Sequence, residues 1–206
     1  MEYKSVKLEH MDITSRIARR VRELRDARGF SLDALAERSR VSRSNISLIE
    51  RGESSPTATV LDRLAVALGV NLSSLFEEST EAAAAPSPMA RAADQPVWTD
   101  PVSGYVRRSL SPAAVSPIQL VEVIFPPGER VAYETSARES ETHQQVWIIE
   151  GAMDLIVGDE HWHLEAGDCL TMRLDCPTLF SNPTSAPARY LVALATLSPT
   201  RLRRHA

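Results

Sequence analysis

Arg43, Ser44, Asn45 and Ser47, with Arg51 one turn further on, form a short run of side chains whose types match what base edges and phosphates offer. A guanidinium can pair two N–H groups with guanine O6 and N7, a carboxamide can do the same with adenine, and a serine hydroxyl is short enough to serve either base. Arg51 is better placed to neutralise a phosphate, Arg40 is a second phosphate candidate, and Ser31, at the head of the preceding helix, completes the candidate DNA-binding set. A second set lies in the C-terminal half. Gln144, Val146 and Ile148 alternate on one run, and with Arg173, Thr178, Phe180 and Tyr190 they can line an apolar pocket carrying a few polar groups, suited to a small polar or anionic effector. Each of these seven also reads as an ordinary core or rim residue.

The DNA-facing set needs a helix to hold it. Leu32, Leu35 and Ala36 recur at helical spacing, Val41 sits in a turn, and Ile46 and Ile49 recur on a second helix that Ser42 would cap. Both helices then bury one face, and the second turns Arg43, Ser44, Ser47 and Arg51 outward as a stripe that fits a major groove. Ile13, Ile17, Val21 and Leu24 predict a helix before this pair. Leu61, Leu64, Ala65 and Leu68 predict one after it, started by Ser55 and Pro56 and stopped by Gly69. Leu72, Leu75 and Phe76 predict a fifth, opening at Asn71.

Five short helices with a helix-turn-helix over residues 31–52 resemble the Cro/C1-type (XRE family) DNA-binding domain. The resemblance rests on Ala36, the Val41–Ser42 turn, Ile46 and Ser47, Ile49, Glu50 and Gly52, Pro56, and the Leu and Ala repeat that ends at Leu68 and Gly69. It implies binding to double-stranded operator DNA. Where that family usually has glycine in a left-handed turn, this chain has Arg40, at a cost of about 1 kcal/mol. Other readings of the helix pair, as an αα-hairpin in a different helical domain, remain open.

Charge is divided between the halves. The net charge is −4, yet residues 12–76 carry eleven arginines against eight acidic residues, while residues 81–206 carry ten basic and fifteen acidic ones. Only the helical segment has the positive balance that phosphate contacts require. No apolar run reaches the roughly 20 residues of a membrane span, and residues 1–10 lack the apolar core of a secretion signal. A cytoplasmic location without membrane contact is expected. Cys169 and Cys176 are then expected as reduced packing residues.

Residues 79–94 are rich in Ala, Ser and Pro and read as a linker. Beyond Gln95 the periodicity turns to alternation, with strands predicted at 105–110, 118–125, 146–149, 155–157, 169–174 and 190–196, separated by turns at 126–128, 150–151, 158–159, 166–168 and 182–183. That order, through residues 125–128, 146–151, 164–168 and 177–190, resembles a cupin, a small antiparallel jelly-roll barrel. Metal-binding cupins carry two His, a Glu and a further His. The matching positions here are Arg138 and Ser140, within a residue either way, Gln144 and Thr178, a set that cannot build an imidazole and carboxylate site. His143 points away from Gln144 by strand alternation, and His161 and His163, with Glu165, sit beside a turn. No metal, cofactor or catalytic residue is expected.

The sequence therefore predicts a multidomain α + β chain. A helix-turn-helix domain occupies 1–78, a linker 79–96, a cupin sensor domain 97–198 and a basic tail 199–206. The expected function is a sequence-specific transcriptional regulator, acting as a homodimer, whose cupin domain senses a small-molecule effector or mediates dimerisation. The alternative is a metal-dependent cupin enzyme, epoxidase-like, with an attached helix-turn-helix domain.

Overall fold

The computed structural model describes residues 3–77, 87–114, 116–134 and 141–197. Four α-helices come first: α1 (Tyr3–Ala27), α2 (Leu32–Ser39), α3 (Arg43–Glu50) and α4 (Ala58–Ala67). The expected fifth helix is a 3₁₀ turn, Leu72–Phe76, whose cap is Asn71 accepting from the Ser74 N–H. Five residues are too few to propagate an α-helix unaided, and the tighter turn suits so short a piece. Ile17, Val21, Leu35, Ile46, Ile49, Leu61, Leu64, Leu68 and Leu75 close the helical core.

Local chemistry sets the helix ends. Ser31 Oγ accepts from Ala34 N at 3.1 Å, and Ser42 Oγ from Asn45 N at 3.3 Å. α4 starts two residues later than the Ser55–Pro56 reading: Thr57 is the cap, accepting from Val60 N at 3.3 Å. Between α2 and α3, Arg40 takes φ 55°, ψ 26°, the one positive-φ residue other than glycine among those described.

Ten strands follow, with a 3₁₀ turn (Ala92–Asp94) before the first. They are β1 (Val97–Thr99), β2 (Val106–Ser109), β3 (Ile118–Phe125), β4 (Arg130–Tyr133), β5 (Glu141–Glu150), β6 (Ala152–Val157), β7 (Glu160–Glu165), β8 (Cys169–Arg173), β9 (Thr178–Ser181) and β10 (Ala188–Leu197). They form two antiparallel sheets, β1-β2-β3-β10-β5-β8 and β4-β9-β6-β7. The first sheet turns Val121, Val123, Phe125, Val146, Ile148, Tyr190, Val192 and Leu194 inward, and the second Val131, Met153, Leu155, Leu164 and Phe180. The β5–β6 turn requires Gly151: its φ is +79°, and an added Cβ would lie 2.9 Å from Pro187 O.

The two domains are docked directly. Asp100, buried before β2, accepts the Ala58 N–H at 2.8 Å, placing a carboxylate on the N-terminus of α4, and its other oxygen takes Ser103 N and Oγ at 2.7 and 2.6 Å. Thr59 donates to Ala132 O, Arg63 pairs with Glu134 at 2.5 Å, and Asn71 reaches Thr196. Phe76 packs edge-on against Trp98, 5.7 Å between centroids.

Because Arg40 holds a conformation that disfavours a Cβ, Arg40→Gly should stabilise the protein by up to about 0.5 kcal/mol, the strain of about 1 kcal/mol less the entropic cost of glycine. Urea unfolding should show a higher midpoint at unchanged slope. A lower midpoint would mean that Arg40 makes contacts worth more than the strain.

Candidate functional site

Recognition surface. α3 is held on its inner side by Ile46 and Ile49 and by a paired guanidinium: Arg25 on α1 donates from Nε and Nη2 to Glu50 at 2.7 and 2.9 Å. Glu50 is nearly buried, and its hydrogen bond raises the pKa of Arg25. The outer side carries Arg43, Ser44, Ser47, Leu48 and Arg51, one helical face. Arg43 is 62% exposed, its Nε 3.1 Å from Asp33 on α2. Arg51 donates to Ser47 Oγ at 2.6 Å and, from Nε and Nη2, to Glu53 at 2.8 and 2.9 Å. That contact raises the Arg51 pKa and lowers that of Glu53. Asn45 is half-buried, Arg40 exposed, and Ser31 exposed with its hydroxyl engaged in capping α2.

Cavity. A cavity of about 80 Å³ lies between the sheets, with one wall supplied by the helical domain: Asp62 from α4 and Asn71, Leu72 and Ser73 from the 3₁₀ turn. That is room for on the order of six waters or as many ligand atoms. The barrel side contributes Tyr105, Arg107, Tyr133, Gln144, Thr178, Phe180 and Tyr190. Arg107 is 6% exposed, donates to Ser73 Oγ at 2.5 Å and lies over the Phe76 ring at 4.9 Å. Burial pulls its pKa below the ordinary arginine value. Burial likewise pushes Tyr105 up to about 12 and raises Tyr133 and Tyr190 well above the usual phenol, so all three stay neutral donors at physiological pH. Tyr105 and Tyr133 hydroxyls are 3.1 Å apart. Phe76, Trp98, Tyr105, Phe125, Tyr190, Phe180 and Tyr133 form a continuous chain of ring contacts from the helical domain to the cavity wall.

These two features match two known families. A helix-turn-helix family model covers residues 21–75, and a cupin domain model covers residues 121–194. The HTH-type transcriptional regulator SutR of Escherichia coli (strain K12) is 28% identical over 167 residues, 79% of this chain and 84% of SutR. The HTH-type transcriptional regulator PuuR of the same organism is 27% identical over 184 residues, 85% of this chain and 92% of PuuR. The chain joins an XRE-type helix-turn-helix domain to a cupin domain, the make-up of a DNA-binding transcriptional regulator. A crystal structure of an HTH_3 family transcriptional regulator from Vibrio cholerae shares the fold, with a TM-score of 0.71 over 92% of this chain and 99% of that one at 23% identity.

Of the pocket residues that the regulator's sequence suggests, Gln144, Thr178, Phe180 and Tyr190 line the cavity together. Val146 and Ile148 face inward but are sealed in the core. Arg173 does not face inward. On β8 the inward residue is Met172, opposite Gln144, and Arg173 lies outside, paired with Asp175 and with Glu141. The one-residue difference in register reverses its side. Arg107, Tyr105 and Tyr133 were not selected from sequence. Tyr105 did lie in a predicted strand, but nothing there marks Arg107 as buried, because its partner Ser73 is 34 positions away on the other domain.

The metal question narrows. Arg138 and Ser140 lie outside the described residues. Gln144 and Thr178 face inward, while His143 is on the opposite side of β5, 3.1 Å from Glu141. His161 and His163 are exposed on the β6–β7 hairpin, beside Asp154. Among the described residues, no three His, Cys, Asp or Glu side chains converge to hold a metal ion. Among the described residues no helix is long and apolar enough to cross a membrane. Cys176 borders the cavity, whereas Cys169 is exposed rather than packed.

His163 donates a testable titration. Its ring bonds Asp154 at 2.6 Å, which raises its pKa from 6.5, so this contact contributes fully below the unfolded value and is lost as pH rises through the folded one. NMR titration should place its midpoint above 6.5, and Asp154→Asn should lower it. An unchanged midpoint would mean the hydrogen bond does not persist in solution.

Proposed function

We propose that this regulator binds an inverted-repeat operator as a homodimer through α3 and changes its DNA affinity when a small effector occupies the interdomain cavity. The carrying observation is that one cavity takes its wall from both domains, so a ligand there contacts the DNA-binding unit directly. Direct docking gives an effector a route to the helical domain that does not run through the 79–96 segment. The domain limits at 78, 96 and 198 stand as part of this reading, as does closure of the two sheets as a jelly-roll barrel. The barrel is non-catalytic on this reading, with a carboxamide at Gln144 and a hydroxyl at Thr178 where a metal-dependent enzyme would carry ligands.

On DNA, Arg43 and Ser44 lead into the groove, Ser47 and Asn45 make shorter contacts, and Leu48, 37% exposed on the same face, meets a thymine methyl. Arg51 reaches a phosphate, which requires it to leave Glu53. Arg40, on the turn before α3, reaches a separate phosphate, and Ser31 holds α2 across the backbone. A single helical domain covers one half-site, so two are needed about one helical turn apart.

Operators selected from random DNA by the full-length protein should read as such a repeat, and sedimentation should show a dimer. Against that site Arg43→Ala should cost about 1–3 kcal/mol and relax one base position, whereas Arg51→Ala should weaken all sequences alike and flatten the salt dependence. Unchanged base preference in Arg43→Ala would exclude its place in the groove.

Coupling has its own test. Metabolites that shift operator affinity of the wild type should lose that effect in Asp100→Ala, which uncaps α4 from the barrel, while the variant still binds DNA. A full response in the variant would show that the signal does not pass through docking.

A further inference from the structure

We infer that the cavity recognises a small carboxylate and that Arg107 is the residue that holds its charge. This rests on the reading of the cavity as an effector site and adds the chemical class of the effector. Arg107 lines the cavity, is more than nine-tenths buried, and uses one N–H on the neutral Ser73 hydroxyl, while its buried Nε has no hydrogen-bond partner. The groups whose electrostatics act on it are the phenols of Tyr105, Tyr133 and Tyr190, not a carboxylate of the protein. A guanidinium stays protonated even when burial opposes it, so the fold retains a buried cation whose Nε has no hydrogen-bond partner.

The surrounding groups fit the same ligand. The three phenols are kept neutral by burial; one proton of the Tyr105–Tyr133 pair is used between them, leaving the other and Tyr190 to donate to carboxylate oxygens, while Gln144 and Thr178 add a donor and a hydroxyl. Glu134, on the rim, is already paired with Arg63, which leaves Arg107 as the cation facing the cavity among the described residues. The apolar remainder of the ligand would face Phe180, Val192 and Leu194. Because Arg107 keeps one N–H on Ser73, an anion can take the remaining donors without breaking the interdomain contact. Occupancy therefore reinforces docking.

The test is equilibrium binding to the full-length protein without DNA. Calorimetry and thermal shift at constant ionic strength would compare propionate, lactate and pyruvate with propionamide, lactamide, pyruvamide and n-propylamine. At least one carboxylate should bind about tenfold or more tightly than its amide, with the amine not binding, as expected for a charge-assisted contact. Arg107→Gln should abolish that preference, and Arg107→Lys, which keeps the charge but loses the planar fork, should retain part of it. If Arg107→Gln does not fold, the carboxylate-to-amide ratio of the wild type and the partial retention in Arg107→Lys decide. Equal binding of amides and carboxylates, preference for the amine, or no binding by any carboxylate would overturn the inference. A neutral or cationic metabolite that changes operator affinity would leave the sensor reading standing and remove only the carboxylate.

Discussion

The seam between the helical domain and the barrel is the constraint on which the rest of the molecule depends. Asp100 satisfies an N–H at the start of α4 that no residue of the helical domain takes, and Phe76 packs into Trp98 on the first strand. An exposed helix N-terminus would take its hydrogen bonds from water. Here the terminus is buried against the other domain, so separation would leave both a carboxylate and an amide to be resolvated. Position and orientation of α4 are thereby fixed to the barrel, and through the shared helical core so is α3.

Docking also explains why a cation can be stored inside the protein. Arg107 sits on β2, in the sheet that meets the helical domain, and its guanidinium is covered by Ser73 and Phe76 from that domain. Without the helical domain the guanidinium would lose the cover of Ser73 and Phe76 and open to water on that side. Burial of the charge is therefore a consequence of assembly, and whatever stabilises that charge stabilises the assembled form.

The helical domain was legible because its signals are local. Capping serines, the i, i+3, i+4 spacing of Leu and Ile, and the left-handed position of Arg40 are all decided within a few residues. Thr57 shows the limit: the choice between it and Ser55 was made by Asp100, forty-three residues on, which anchors the first N–H of the helix at Ala58. Among the strands, β3 and β10 announced themselves by apolar runs, while β7 is mostly exposed and polar and β4 and β9 are four residues each. Their pairing comes from neighbours rather than from their own composition. Arg173 and Met172 differ by one position, and only the observed pairing with β5 decides which faces inward. The cavity's own cation was beyond sequence reasoning for a related reason, since burial of Arg107 requires a partner from the other domain.

The energetic scale of the seam decides what an effector can do. Each interdomain hydrogen bond contributes about 1 kcal/mol net, and the Arg63–Glu134 pair, partly exposed, less than that. Docking held by a handful of such contacts and a few buried rings is stable, yet within range of a single ligand: a molecule that binds the docked form 100-fold better than the undocked one shifts the equilibrium by about 2.7 kcal/mol. A ligand contacting only the barrel would have no such differential and would shift nothing, however tightly it bound. On the proposed reading, Asn71, Leu72 and Ser73 on the cavity wall would give occupancy a differential, because a separated barrel would lack that wall. The helical domain thus forms part of the cavity wall, and on the proposed reading its position enters the equilibrium of any ligand held there.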